Sequence, residues 1–297
     1  MRMKNELEQG PAQSMRVCII VPAHNEAAVI GRFLKPLEAQ ITAGEARVIV
    51  VANGCRDQTA KVARDIPGVE VIETDIGSKS NALNLGDEAA GNDFPRFYVD
   101  ADVKMNWDVI RAVADFLIQN DALAAAPAAR FDTTNSSWGV KRFYSVWLSL
   151  PYLQSGMIGS GVYALSAAGR ARFDGFPAII ADDAFVRLHF KAGERAIVPN
   201  AHFTVTAPRD LWSLIRIKTR SHLGNVELKM KYPHLTANEE ARHGKGLRSL
   251  ALAPSWWPAL GVYGFVKLVT RYRAAKQVRA GRFDHWERDE TSRVSVQ

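Results

Sequence analysis

Asp100 and Asp102 form a D-x-D triplet directly after the apolar run Phe97–Val99. Two carboxylates on one tight turn are hard oxygen ligands for Mg2+ or Mn2+, and such a cation binds a diphosphate and neutralises charge on it as it leaves. A second acidic pair, Asp182 and Asp183, precedes the apolar helical run AFVRLHF. A carboxylate there can take a proton from a hydroxyl, and the same position also suits a helix cap. The residues alone leave both uses open. His202 follows a strand-like run and is a candidate third metal ligand, with a structural role as the alternative.

These residues need elements to carry them. Val17–Val21 and Arg47–Val51 are short, nearly continuous apolar runs rich in β-branched side chains, as strands buried on both faces of a parallel sheet are. Val69–Ile72 and Phe97–Val99 are shorter versions. Helical spacing fills the gaps at Glu26–Ala39, Asp57–Asp65, Ser78–Ala89 and Trp107–Gln119. The alternation predicts an α/β sheet with crossover helices, whose ligands bind beyond the carboxyl ends of the strands. The polar tails of three strands, 22–26, 52–57 and 100–102, then meet on one rim. Neither the G-x-G-x-x-G of a dinucleotide fold nor the lysine-bearing phosphate loop occurs, which disfavours both of those nucleotide modes. The second half predicts helices over Ser136–Leu150, Asp182–Lys191 and Asp210–Lys231, a strand over Val162–Leu165 and a loop over 232–248.

The order of the rim motifs resembles the family 2 glycosyltransferases, inverting enzymes with the GT-A nucleotide-sugar fold. The resemblance rests on VPAHNE (21–26), VVANGCRDQT (50–59), KSNALNLG (79–86), YVDAD (98–102), GSG (159–161) and ADD (181–183), and it spans roughly residues 16–225. It implies a mainly parallel mixed sheet flanked by helices, with a basic helical C-terminal extension. Position by position, it puts Pro22, Ala23 and Glu26 around the nucleobase and ribose. Asn53, where the family usually has an aspartate, faces the base edge, and Lys79 lies near the nucleotide. Asp102 becomes the direct ligand of Mn2+ or Mg2+, with Asp100 binding ribose or supporting that site. Gly159, Ser160 and Gly161 lie on the acceptor side. Asp183 is the general base, with Asp182 as its rival. The family's processive members carry Gln-x-x-Arg-Trp; only Arg220 survives of it here, which speaks against a long-polymer synthase. Arg216 and Arg220 then meet the diphosphate, or form a solvated basic face. The implied partners are a UDP- or GDP-linked sugar and a glycan or lipid-linked acceptor. Transfer onto a polyprenyl phosphate is an alternative, and so is a non-catalytic module that binds nucleotide-sugars or nucleic acid.

Charge sorts these further. Residues 209–297 hold 17 Lys/Arg and 8 Asp/Glu, so the whole +7 excess belongs to the last third. An anionic partner is expected there. Nucleic acid is disfavoured because Asp100, Asp102, Asp182 and Asp183 repel a polyanion. Between Arg248 and Lys267 stand 18 uncharged residues, including Trp256, Trp257, Tyr263 and Phe265, followed by a basic run. With Pro254 and Pro258 near its start, this stretch suits an interfacial anchor better than a full span, and a core helix is the other reading. Cys18 and Cys55 read as buried reduced thiols. The N-terminus lacks the apolar core of a signal peptide. The expected organisation is a polar leader (1–15), a catalytic domain (16–232) and an extension (233–297), cytoplasmic and peripheral to the membrane's inner face.

Overall fold

The computed structural model describes residues 16–150, 161–239 and 245–283. Gly159 and Ser160 lie outside them, as do the polar leader and the last residues of the extension, 284–297.

Among the described residues, seven strands form one sheet in the order β3-β2-β1-β4-β6-β5-β7. They are β1 (Val17–Ala23), β2 (Ala46–Asn53), β3 (Glu70–Thr74), β4 (Arg96–Val99), β5 (Ala124–Asp132), β6 (Val162–Leu165) and β7 (Arg195–Thr206). The helices are α1 (Ile30–Leu34), α2 (Glu38–Thr42), α3 (Thr59–Arg64), α4 (Lys79–Ala90), α5 (Trp107–Gln119), α6 (Trp138–Leu148), α7 (Ala167–Arg170), α8 (Asp182–Leu188), α9 (Leu211–Lys231), α10 (Lys245–Ala251) and α11 (Trp257–Arg279). Only β6 runs antiparallel to its neighbours, β4 and β5.

The apolar runs of β1 and β2 become central strands because both sheet faces are covered. On one face Ile19, Val21, Val48 and Val50 pack with Phe33, Leu34, Ile110 and Val113. On the other, Ile20, Ile49 and Val51 pack with Leu83, Tyr98 and Phe185. Each such aliphatic side chain contributes about 1.5–3 kcal/mol relative to exposure. Register then sets the rim. Ala23 pairs with Ala52, and Ile20 with Tyr98, so Asp100 falls level with Pro22. All three polar tails end at one height, as the sequence predicts.

Several elements differ from expectation. The segment predicted as one helix over 26–39 splits into α1, a 3-10 turn at Lys35–Leu37 and α2, because Pro36 cannot continue the helical hydrogen bonding. The expected loop at 232–248 contains a 3-10 turn, Pro233–Asn238, and part of α10. β5, mostly alanine around Pro127, carries no strand signal in the sequence, and the strand-like run before His202 is only the start of β7, which continues through His202 after an interruption. Pairing steps from Pro127↔Val198 to Ala128↔His202, leaving Pro199, Asn200 and Ala201 as a bulge with Asn200 at φ 65°.

The C-terminal helix α11 packs on α6 and α9. Ala259, Tyr263 and Val266 join Val140, Phe143, Tyr144, Leu214 and Ile215 in a third apolar cluster. Among the described residues, no helix is long and apolar enough to cross a membrane.

Candidate active site

The rim is held together by side chains reaching between loops. Asn25, at φ 52°, accepts the Arg56 N–H on Oδ1 at 2.7 Å. Thr59 Oγ1 accepts the Glu26 N–H at 2.7 Å, and Asp57 Oδ2 accepts the Ala27 N–H at 3.1 Å. The loop after β1 and the loop after β2 are therefore one unit. Asn53 is buried, and its amide donates to the carbonyl of Ala23 at 2.8 Å, fastening β1 to β2. Gly54 sits at φ 55°, and a Cβ there would lie 2.7 Å from Gly77 Cα, so the loop before α4 lies backbone to backbone on the end of β2.

That contact sets the start of α4. Ser78 caps it, with Oγ accepting the Asn81 N–H at 3.3 Å, and Lys79 is its first residue. Lys79 Nζ lies 2.8 Å from Asp100 Oδ1 and 3.1 Å from Asp182 Oδ2. Burial alone would lower the Lys79 pKa, but Asp100, Asp182 and Asp183 together raise it well above its ordinary value. Asp100 is fixed from its other side by β6. Its N–H donates to Gly161 O at 2.7 Å, and Gly161, at φ 95°, leaves no room for a Cβ beside the Asp100 carboxylate.

Asp182 and Asp183 open α8, whose cap position is Ala181, with no side-chain cap bond. Asp182 is buried against Lys79. Asp183 Oδ1 accepts the Ala184 N–H at 2.7 Å. Burial, and then the neighbouring Asp182 charge, push the Asp183 carboxyl up to about 6, against the opposing pull of Lys79. Beneath them Tyr163 stacks on Tyr98 with ring centroids 4.9 Å apart.

The segment entering α8 is braced by α9. Gly224 allows close approach, since a Cβ there would lie 2.9 Å from Ile180 Cγ2. One turn on, Glu227 Oε2 accepts the Ile180 N–H at 2.9 Å. Arg220 and Arg216 lie one and two turns before Gly224 along the same stripe of α9. Arg216 is exposed, its guanidinium 6.0 Å from the Trp212 ring, and Arg220 is half-buried. Nothing in the sequence marked Gly224 or Glu227.

The D-x-D carboxylates have different neighbours. Asp100 faces Lys79, whereas Asp102 lines a cleft with Val29, Arg32, Lys104 and Thr206. Among the described residues, no three His, Cys, Asp or Glu side chains converge to hold a metal. The Lys104–Thr204 bridge is antiparallel, so Asp102 lies toward Thr206 and away from His202, whose buried Nδ1 has no partner among the described residues. The structure does not bring His202 into a ligand cluster with the triplet. The remaining donor set suits a hard cation that arrives with its diphosphate, because Mg2+-type sites take one or two carboxylates plus phosphate oxygens.

A mainly parallel sheet with a D-x-D turn at the end of a central strand, faced by a second acidic pair, is the GT-A architecture of nucleotide-sugar transferases. The chain belongs to glycosyl transferase family 2, whose model matches residues 18–173, and it is a glycosyltransferase. The mannosyltransferase PcManGT from Pyrobaculum calidifontis, in complex with GDP-Man and Mn2+, has the same fold. It superposes with a TM-score of 0.57 at 19% identity, over 92% of this chain and 76% of that one. Glucosyl-3-phosphoglycerate synthase from Mycobacterium tuberculosis, in complex with Mn2+ and UDP-glucose, gives 0.52 at 19% identity, over 73% and 78%. Mannosyl-3-phosphoglycerate synthase from Rubrobacter xylanophilus gives 0.51 at 16% identity, over 77% and 78%. No curated protein sequence matches the chain.

Proposed function

We propose that the enzyme transfers a sugar with inversion from a UDP- or GDP-linked donor to a hydroxyl of a glycan or lipid-linked acceptor, with Asp183 as general base. The observation that carries this is the placement of Asp183 beside the Lys79–Asp182–Asp100 group on the rim, where burial and then the Asp182 charge push its carboxyl up to about 6. A base with a pKa just below neutral is ionised at pH 7 yet still takes a proton readily. Asp183 would accept the acceptor's hydroxyl proton as that oxygen bonds to the anomeric carbon. The bond to the diphosphate breaks on the opposite face, and its electron pair leaves with the diphosphate. Lys79 holds Asp100 and Asp182 in place while Asp183 is the carboxylate of the pair outside its ion pairs.

Pro22, Ala23 and Glu26, on the rim loop fixed by Thr59, would line the nucleoside. Asn53 supports that pocket by locking Ala23 rather than by presenting its amide to the base. Asp102 and Asp100 would hold Mn2+ or Mg2+, which when bound supplies positive charge to the leaving diphosphate. PcManGT is a complex with GDP-Man and Mn2+, a donor and metal class that this reading shares. Arg216 and Arg220 would add positive charge on the diphosphate side, and Gly161 would line the acceptor side.

A thermal-shift panel of UDP- and GDP-sugars with Mn2+ tests the donor class, and product analysis with the best donor tests inversion. Asp102→Ala should abolish Mn2+-dependent nucleotide affinity in calorimetry without unfolding the protein. Asp183→Asn should remove turnover with a hydroxyl acceptor. Full turnover of that variant would overturn the base assignment, and turnover confined to a polyprenyl phosphate would move the acceptor to that class.

A further inference from the structure

The apolar stretch after Arg248 has two faces with different fates. On α11, Ala259, Tyr263, Val266, Thr270 and Ala274 recur every three to four residues and are buried on the side packed against α6 and α9. The opposite face carries Trp257 (62% exposed), Phe265 (53%), Leu268 (70%) and Tyr272 (72%), at helical spacings of eight, three and four. Leu252, 85% exposed, extends the patch from the end of α10. A helix that is apolar on both sides normally has cover on both, and contiguous exposed apolar surface marks an interaction site. No element of the described chain covers this side.

The surrounding charge identifies the occupant. Between residues 245 and 283 the sequence has eight cations, Lys245, Arg248, Lys267, Arg271, Arg273, Lys276, Arg279 and Arg282, and no carboxylate. Arg271, Lys276 and Arg279 are exposed on the same outward side, one to three turns beyond Leu268. A second copy docked through this face would bring a second set of the same cations and, from this segment, no carboxylate to pair with them. A bilayer with anionic headgroups instead takes both halves at once: aromatic and aliphatic side chains enter the interfacial layer while the arginines and lysine meet the phosphates. We infer that the outward face of α11, Trp257, Phe265, Leu268 and Tyr272 with Arg271, Lys276 and Arg279, is a docking surface for an anionic lipid bilayer. The core-helix and interfacial readings of this segment thus hold together, one on each face, and docking requires no spanning segment.

Vesicle binding is read without turnover, so this inference stands or falls separately from the transfer chemistry. The full chain is mixed with phosphatidylglycerol/phosphatidylcholine vesicles or with pure phosphatidylcholine vesicles and sedimented. Binding to the anionic vesicles should be at least about tenfold tighter and should weaken as salt rises. Phe265→Ser with Leu268→Ser should weaken it about tenfold, at unchanged Tm and unchanged monomeric size, because those side chains touch no core. Arg271→Gln with Arg279→Gln should lower anionic binding and leave the weak neutral binding as it was. Equal sedimentation with both vesicle types overturns the inference, as does undiminished binding by the Ser variant. So does a wild-type dimer that the Ser substitutions convert to monomer, since that result assigns the face to a second copy.

Discussion

The Lys79 ammonium is 2.8 Å from Asp100 Oδ1, and the same nitrogen reaches Asp182 at 3.1 Å. One cation therefore ties the D-x-D turn to the acidic pair that opens α8. Lys79→Met leaves three neighbouring carboxylates without their counter-charge. Breaking such a partly buried arrangement should destabilise the fold by about 3 kcal/mol, read by urea unfolding. It should also raise the variant's affinity for Mn2+ in the absence of nucleotide, measured by electron paramagnetic resonance, since Asp100 is released from its ion pair. An unchanged Mn2+ affinity would show that Lys79 does not compete for that carboxylate.

Asp183 should set the acidic limb of catalysis. Burial and then the Asp182 charge push its carboxyl up to about 6, so kcat/KM should fall below about pH 6 with a single-proton slope. A limb near pH 4 would mean that another group takes the proton.

The same shift has a stability consequence of opposite benefit. Between the ordinary value of 3.8 and about 6, the folded protein holds more protons at Asp183 than the unfolded chain does. Stability therefore falls as pH rises through that window, and the full cost is present above it. Asp183→Asn should raise stability by about 1–3 kcal/mol at pH 7.5 and by little at pH 4, while lowering kcat at least about 100-fold. Chemical denaturation at the two pH values checks the pattern.

Two glycines separate packing from propensity. Gly224→Ala puts a methyl 2.9–3.0 Å from Ile180 and Ala181, forcing α9 away from the segment that carries Asp182 and Asp183. It should destabilise by about 1–3 kcal/mol and lower kcat more than it changes KM. Gly31→Ala meets only Val62 Cγ1 at 3.6 Å and should be neutral or stabilising by up to about 1 kcal/mol. Parallel melting curves decide both.

Much of the sheet was readable because its central strands are continuous β-branched runs, and because the rim motifs come in chain order. Asp100, Lys79 and the Asp182–Asp183 pair could be listed from spacing and resemblance, but not the ion pairs that join them. Those depend on register, and the sequence does not state that Asp100 falls level with Pro22. β5 escaped because alanines carry little strand preference, and of β7 only the run before His202 was legible because Pro199 and Asn200 break its alternation. Asn53 was legible as a rim residue, yet its inward hydrogen bond to Ala23 depends on a tertiary neighbour thirty positions away.

Helix α9 touches two different jobs. Near its start Trp212 lies 4.8 Å under the Arg273 guanidinium of α11, and twelve residues later Gly224 bears on the entry to α8. At about 1.5 Å per residue these contacts are roughly 18 Å apart along a single rod. Whatever seats on α11 is thereby held at a fixed stand-off from the Asp183 carboxyl. Acceptors would be screened by how far their hydroxyl projects from their anchor, a selection by reach that no residue of the pocket has to encode.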